Sequence, residues 1–289
     1  MLVIAALFAL TSAVIDGRHA GWTSWPIALG FATAIASAVG LVAWEARHRE
    51  PMLDPRFFRS LPFAAATLVA VLAFTAFSGF LFLNSLYLQE ARGMTASQAG
   101  LATLPIALAL MVCSPFSGRL VAAGRARLAL VVAGTAMAIG ALLLSALAQD
   151  TKLSHLLAAY AIFGVGLGMV NAPITNTAVS GMPRSHAGIA SAVASTSRQV
   201  GASLGVALAG SLAGTGIEAA HRQDFAAATH VFFWVSAGLG IAIVVLGIAS
   251  TGARARASAA RVALLLEGAQ TLAMTAGPSE TRVGIVPRA

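Results

Sequence analysis

Eight apolar runs with cation-bearing segments between them constrain this chain more than any other feature; they fall at about 1–15, 25–44, 63–88, 99–120, 128–148, 153–179, 185–210 and 231–250. A helix rising ~1.5 Å per residue needs ~20 apolar residues to cross a hydrocarbon slab of about 30 Å, and seven of the runs reach that length. The first covers only about 22 Å and has no basic residues ahead of it, so it reads as a helix missing its beginning rather than as a secretory signal. With 58% hydrophobic and 10% charged residues the chain cannot present a water-facing surface. The expected class is an all-α polytopic membrane protein of about eight transmembrane helices. Its parts are two helices over 1–44, a linker over 45–60 in which Pro51 and Pro55 interrupt any helix, a six-helix bundle over 61–250, and a tail over 251–289. The tail is basic at its start and rich in Ala, Gly and Ser, which predicts disorder with one short helix over 261–267.

The net charge of +8 could suggest nucleic acid, but the placement of the cations says otherwise. If the spans alternate direction, one set of connections and the tail hold thirteen arginines: Arg47, Arg49, Arg56, Arg59, Arg119, Arg125, Arg127, Arg184, Arg254, Arg256, Arg261, Arg282 and Arg288. The other side holds four cations, Arg18, Arg92, Lys152 and Arg222. That asymmetry is a topology signal; it predicts a plasma-membrane protein with both termini in the cytoplasm, whose partner is the lipid bilayer and not nucleic acid. The single cysteine, Cys113, lies in an apolar run and offers neither a disulfide framework nor a metal site; no cofactor is implied.

The remaining arginine, Arg198, stands in the middle of the seventh run. A helix starting near Ser185 places it roughly 20 Å along the axis, inside the hydrocarbon, where a charge costs a few kcal/mol. At 100° per residue Ser191, Ser195, Arg198, Ala202 and Gly205 form one small or polar stripe opposite Ile189, Val193 and Val200. Such a stripe suits a helix partner or an aqueous path. Arg198 then either snorkels and packs, or fixes a coupled charge or an anionic group in a central cavity.

In the sixth run Tyr160, Gly164, Gly168, Asn171 and Thr175 share a face, and Gly164 with Gly168 permits close helix approach. Pro173 frees a carbonyl that Asn171 could satisfy, unless Asn171 lines a cavity. All ten acidic residues and all six histidines fall in connections, at helix ends or in the tail, so a proton relay of intramembrane carboxylates is not built into this chain alone. HExxH, paired intramembrane carboxylates and a serine with a histidine at depth are all missing from the sequence, which points away from an enzyme.

Four stretches, EPMLDPRFFRSLPFAAATL, LYLQEARGMTASQAGLATLPIAL, SPFSGRLVAAGRARL and GMPRSHAGIASAVASTSRQVGASLGVAL, give the chain a family likeness over roughly residues 40 to 215. It resembles the major facilitator superfamily, and within it the fourteen-helix drug:proton antiporter branch. The resemblance implies that the first two spans are the branch's extra central helices and the last six the C-terminal six-helix bundle, with the N-terminal half absent from this chain. It implies a proton-coupled multidrug or metabolite exporter. Its partners would be an amphipathic small-molecule substrate, protons once the full transporter is assembled, and the missing N-terminal half. Arg198, Gln199, Asn171, Thr175 and Asn84 are then the candidates for the polar part of the substrate or coupling pathway. Gly118, Arg119, Arg125 and Arg127 match the family's cytoplasmic gating loop, although Ala122 stands where its aspartate would fall and the loop is one residue shorter. The alternative is a truncated, non-transporting remnant or a membrane partner subunit.

Overall fold

The computed structural model describes residues 2–20, 24–47, 55–147, 151–179, 187–218 and 222–275, and these are almost wholly helical. The helices are α1 (Leu2–Ala20), α2 (Trp25–Arg47), α3 (Leu61–Leu86), α4 (Ala96–Ala122), α5 (Ala126–Leu144), α6 (Leu153–Val179), α7 (Ala187–Glu218), α8 (Arg222–Ser250) and α9 (Ala253–Thr275). A 3₁₀ turn, Pro55–Arg59, precedes α3, and a π-helical turn, Tyr87–Ala91, extends it. The expected N-cap Ser185, with Arg184, residues 48–54 of the 45–60 linker and the tail beyond 275 lie outside the described residues.

Among the described residues, six helical segments are long and apolar enough to cross a membrane: Trp25–Glu45, Leu61–Ala91, Ala96–Ala122, Ala126–Leu144, Leu153–Val179 and Thr229–Ser250. The other two expected spans miss for different reasons. The apolar part of α1, Ile4–Gly17, is short. The 32-residue α7 has ample length, but Arg198, Gln199 and its serines dilute its apolar character. The whole is a polytopic α-helical membrane protein.

Small residues set the packing. α3 lies along α7, α4 along α6, and α5 against both α6 and α8. A Cβ on Gly201 or Gly205 would run into the backbone carbonyls of Val71 and Thr75, so these glycines let α7 touch α3 backbone to backbone. Gly164 and Gly168 do the same for α6 on α4: a Cβ on Gly164 would stand 2.7 Å from the Ile106 carbonyl oxygen, and one on Gly168 2.9 Å from Cβ of Cys113. Cys113 is thereby a packing residue. Gly134 of α5 and Gly240 of α8 face each other in the same manner. Large side chains fill what the close crossings leave: Phe80, buried, stacks on Phe163 at 5.1 Å and meets the Tyr160 ring edge-on at 5.4 Å.

Local signals close the helix ends. Thr95 and Gln98 form a reciprocal capping box at the start of α4, with Gln98 N donating to Thr95 Oγ1 at 3.3 Å and Thr95 N to Gln98 Oε1 at 3.0 Å. Gly124, with φ of 72°, ends the turn after α4 in the left-handed region that favours glycine.

The tail departs from expectation. Instead of disorder around a short helix at 261–267, α9 is continuous over Ala253–Thr275. Its low overall apolarity hid a narrow stripe: Ala255, Ser258, Ala259 and Val262, at i, i+3, i+4 and i+7, are all buried, while Arg254, Arg256 and Arg261 are exposed. Ser258 Oγ accepts from the Leu61 backbone N–H at 3.0 Å and donates to the Ala255 carbonyl at 2.7 Å, tying the tail helix to the first turn of α3.

Candidate functional site

Three helices meet around Arg198. It lies on α7 about 16 Å from that helix's first residue, at ~1.5 Å per residue. Its Nη2 donates to Thr175 Oγ1 of α6 at 2.7 Å, and its guanidinium carbon lies 6.0 Å from the ring centroid of Phe74 on α3, within cation–π range. Phe74 is held edge-on to Phe77, with centroids 6.3 Å apart at 86°. The guanidinium is neither snorkelled into open solvent nor saturated: Arg198 is half-buried, and its Nε is buried with no hydrogen-bond partner.

Thr175 is fixed from below by a long 3.4 Å bond from its hydroxyl to the Asn171 carbonyl, and Asn171 Nδ2 donates to the Leu167 carbonyl at 3.1 Å. Asn171 therefore engages its own helix rather than the carbonyl that Pro173 frees. That carbonyl, of Met169, is taken by Ser117 Oγ of α4 at 2.7 Å in a buried contact.

The structure brings together Arg198 and Thr175, with Asn171 one turn away on α6 and Gln199 beside Arg198 and exposed. Asn84 does not join them. It lies ten residues beyond Phe74 on α3, about 15 Å further along, 3% exposed, and its Oδ1 accepts the hydroxyl of the buried Tyr160. The predicted stripe on α7 also divides: Gly205 is buried on α3, whereas Ser191 and Ser195 are exposed with Thr196, Gln199 and Ser203. This polar exposed face continues onto α6 at Thr175 and Asn176. α4 is the opposite, exposing Leu101, Leu104, Leu108, Met111, Val112 and Phe116.

Gly118, Arg119, Arg125 and Arg127 surround the α4–α5 turn. Gly118 and Arg119 are in the last turns of α4, where the Arg119 guanidinium lies 5.7 Å from the Phe116 ring centroid; Arg125 occupies the N-cap position of α5 without a side-chain capping bond, and Arg119, Arg125 and Arg127 are exposed. Among the described residues, groups of three or more potential metal ligands are absent.

Sequence reasoning did not single out Phe74, Asn176 or Ser117. Asn176 had a signal, the polar triplet Thr175, Asn176 and Thr177. Phe74 had none, since an aromatic in an apolar helix announces no partner. Ser117 could have been found by asking which hydroxyl on a neighbouring span serves the carbonyl four residues before Pro173.

An arginine within a membrane bundle is costly unless it faces neighbouring helices or water, and Arg198 meets both conditions in part. The Major Facilitator Superfamily model matches residues 1–206, and the chain belongs to that family. It is 34% identical to the multidrug resistance protein Stp of Mycobacterium tuberculosis over 73% of this chain and 39% of that protein. It is 32% identical to the tetracenomycin C resistance and export protein of Streptomyces glaucescens, over 73% of this chain and 39% of the relative. It is also 31% identical to the methylenomycin A resistance protein of Streptomyces coelicolor, over 73% and 44%. The chain thus spans about two fifths of the length of these relatives.

Proposed function

We propose that this chain supplies one wall of a membrane exporter of amphipathic small molecules and works against a second helical bundle that supplies the other. The observation that carries the reading is the Arg198–Thr175 contact at the α3–α6–α7 junction, open on one side to a polar face. Such a face is unfavourable against lipid and suited to a water-filled path between two bundles. The resistance and export proteins named above support the substrate class. Proton coupling belongs to the same reading, with its carboxylate coming from the facing bundle; here the acidic side chains that are described, Asp16, Glu45 and Glu90, sit at helix ends or in the π turn. Both termini face the cytoplasm in this reading, in the plasma membrane, and the α4–α5 turn with its arginines is the cytoplasmic gate.

The test is efflux of a fluorescent amphipathic dye from cells expressing the chain alone and together with an N-terminal six-helix half of a relative. Export only when both are present, stopped by collapsing the proton gradient, is the expected result. Export that ignores the gradient removes the coupling. Absence of export across a panel of dyes in both cases favours a non-transporting remnant or partner subunit.

A further inference from the structure

Arg198 offers more than it spends. Of its N–H groups, one goes to Thr175, whose own proton is directed to the Asn171 carbonyl, so Thr175 is committed on both sides. The Nε edge is buried without an acceptor, and the guanidinium sits against Phe74, which is braced by Phe77. A guanidinium with an unmet edge at membrane depth takes a planar oxyanion with two parallel N–H···O bonds, and a phenylalanine pair beside it takes an aromatic body. The polar side chains exposed around it, Asn176, Gln199 and Ser195, are neutral.

We propose that this is a binding site for amphipathic aromatic anions: the carboxylate of the ligand docks on the half-buried guanidinium of Arg198 and draws out its unpartnered Nε–H, while its ring system lies along Phe74 and Phe77. The assignment rests on the export reading and sharpens it, because it commits the substrate class to anions over cations. Thr175 is a positioning residue; it holds Nη2 and so fixes the guanidinium whose Nε–H is buried and unpartnered.

Fluorescein and rhodamine 123 share a xanthene skeleton and differ in charge, the first anionic and the second cationic at neutral pH. Fluorescence anisotropy with the whole chain in nanodiscs of uncharged-net phosphatidylcholine measures both. Fluorescein is expected to bind at least about tenfold more tightly than rhodamine 123, a difference of about 1.4 kcal/mol. Arg198→Gln should erase that preference by weakening fluorescein alone, and Arg198→Lys should restore only part of it, since an ammonium lacks the fork. Equal binding of the two dyes by the wild-type chain, a preference for rhodamine, or a fluorescein affinity untouched by Arg198→Gln in a variant of wild-type helicity overturns the proposal. The wild-type comparison needs no variant, so a misfolded Arg198→Gln protein does not shelter it. Dye export that persists while binding ignores residue 198 sinks the charge assignment and leaves the exporter reading standing. Arg198-dependent fluorescein binding without export of any dye does the reverse.

Discussion

Ser117 on α4 donates its hydroxyl proton to the carbonyl oxygen of Met169 on α6, at 2.7 Å and out of contact with solvent. Met169 is the residue whose carbonyl loses its helical donor because Pro173, four residues on, has no N–H. A kink-prone proline on one helix is thus repaired by a serine on the next, and the repair also fastens α4 to α6 beside the close approaches at Gly164 and Gly168. In a bilayer a bare carbonyl has no water to turn to.

This relationship predicts coupling between two positions. Ser117→Ala should cost about 0.6–2 kcal/mol, the range of interhelical hydrogen bonds in membranes. In a Pro173→Ala background, where residue 173 supplies its own N–H, the same change should cost markedly less. Reversible unfolding of the four proteins in bicelles gives the cycle. Equal costs in both backgrounds would show that Ser117 does not serve the freed carbonyl.

Glycines on α7 and α4 should respond in opposite ways. Gly201→Leu drives a side chain into the Val71 backbone on α3, and with only backbone to yield it should cost about 3 kcal/mol or prevent assembly. A Cβ on Gly118 meets nothing within 4 Å, so Gly118→Ala should keep the fold and gain up to about 1 kcal/mol from helix propensity. Thermal unfolding in detergent separates the two. If Gly118→Ala nonetheless slows export at unchanged stability, Gly118 serves motion at the α4–α5 turn.

Two serines near the start of α3 invert what position suggests. Ser60 occupies the N-cap but makes no capping bond, while Ser258, far away in the chain, accepts the Leu61 N–H from α9. Ser258→Ala should therefore cost about 1 kcal/mol, the usual worth of a cap, and speed hydrogen exchange in the first turn of α3. Ser60→Ala should leave both nearly unchanged. The opposite ranking would mean that α9 is not held against α3 as described.

How much of this was legible in the sequence depended on whether the signal was local. Apolar length alone found six membrane helices, and Gly164 with Gly168 marked α6 for a close crossing because a missing Cβ is a property of one residue, while the partner helix α4 was not legible. Arg198 declared itself by its charge, and Thr175 by sharing the stripe of Asn171. What stayed hidden was pairing across the chain. Asn84 looked like a pathway residue, yet the Tyr160 hydroxyl draws it into the core. Phe74 looked like filler, and only the approach of α7 sets it beneath a guanidinium. The tail was misread for a related reason: its buried stripe of Ala255, Ser258, Ala259 and Val262 is too small to register as apolar until α3 and the 3₁₀ turn lie against it.

The last prediction concerns Arg198 and Thr175 as a unit. Because Thr175 holds Nη2 at 2.7 Å and sends its own proton only to the Asn171 carbonyl of its own helix, Thr175→Val should slow export by freeing the guanidinium to swing, but less than Arg198→Gln, which removes the charge. The double variant should be no slower than Arg198→Gln alone, since a hydroxyl that acts only through an arginine has nothing to hold once the arginine is gone. Initial efflux rates normalised to the amount of protein in the membrane measure all three. Multiplicative losses would place Thr175 on the substrate in its own right, with α6 contributing a contact independent of Arg198.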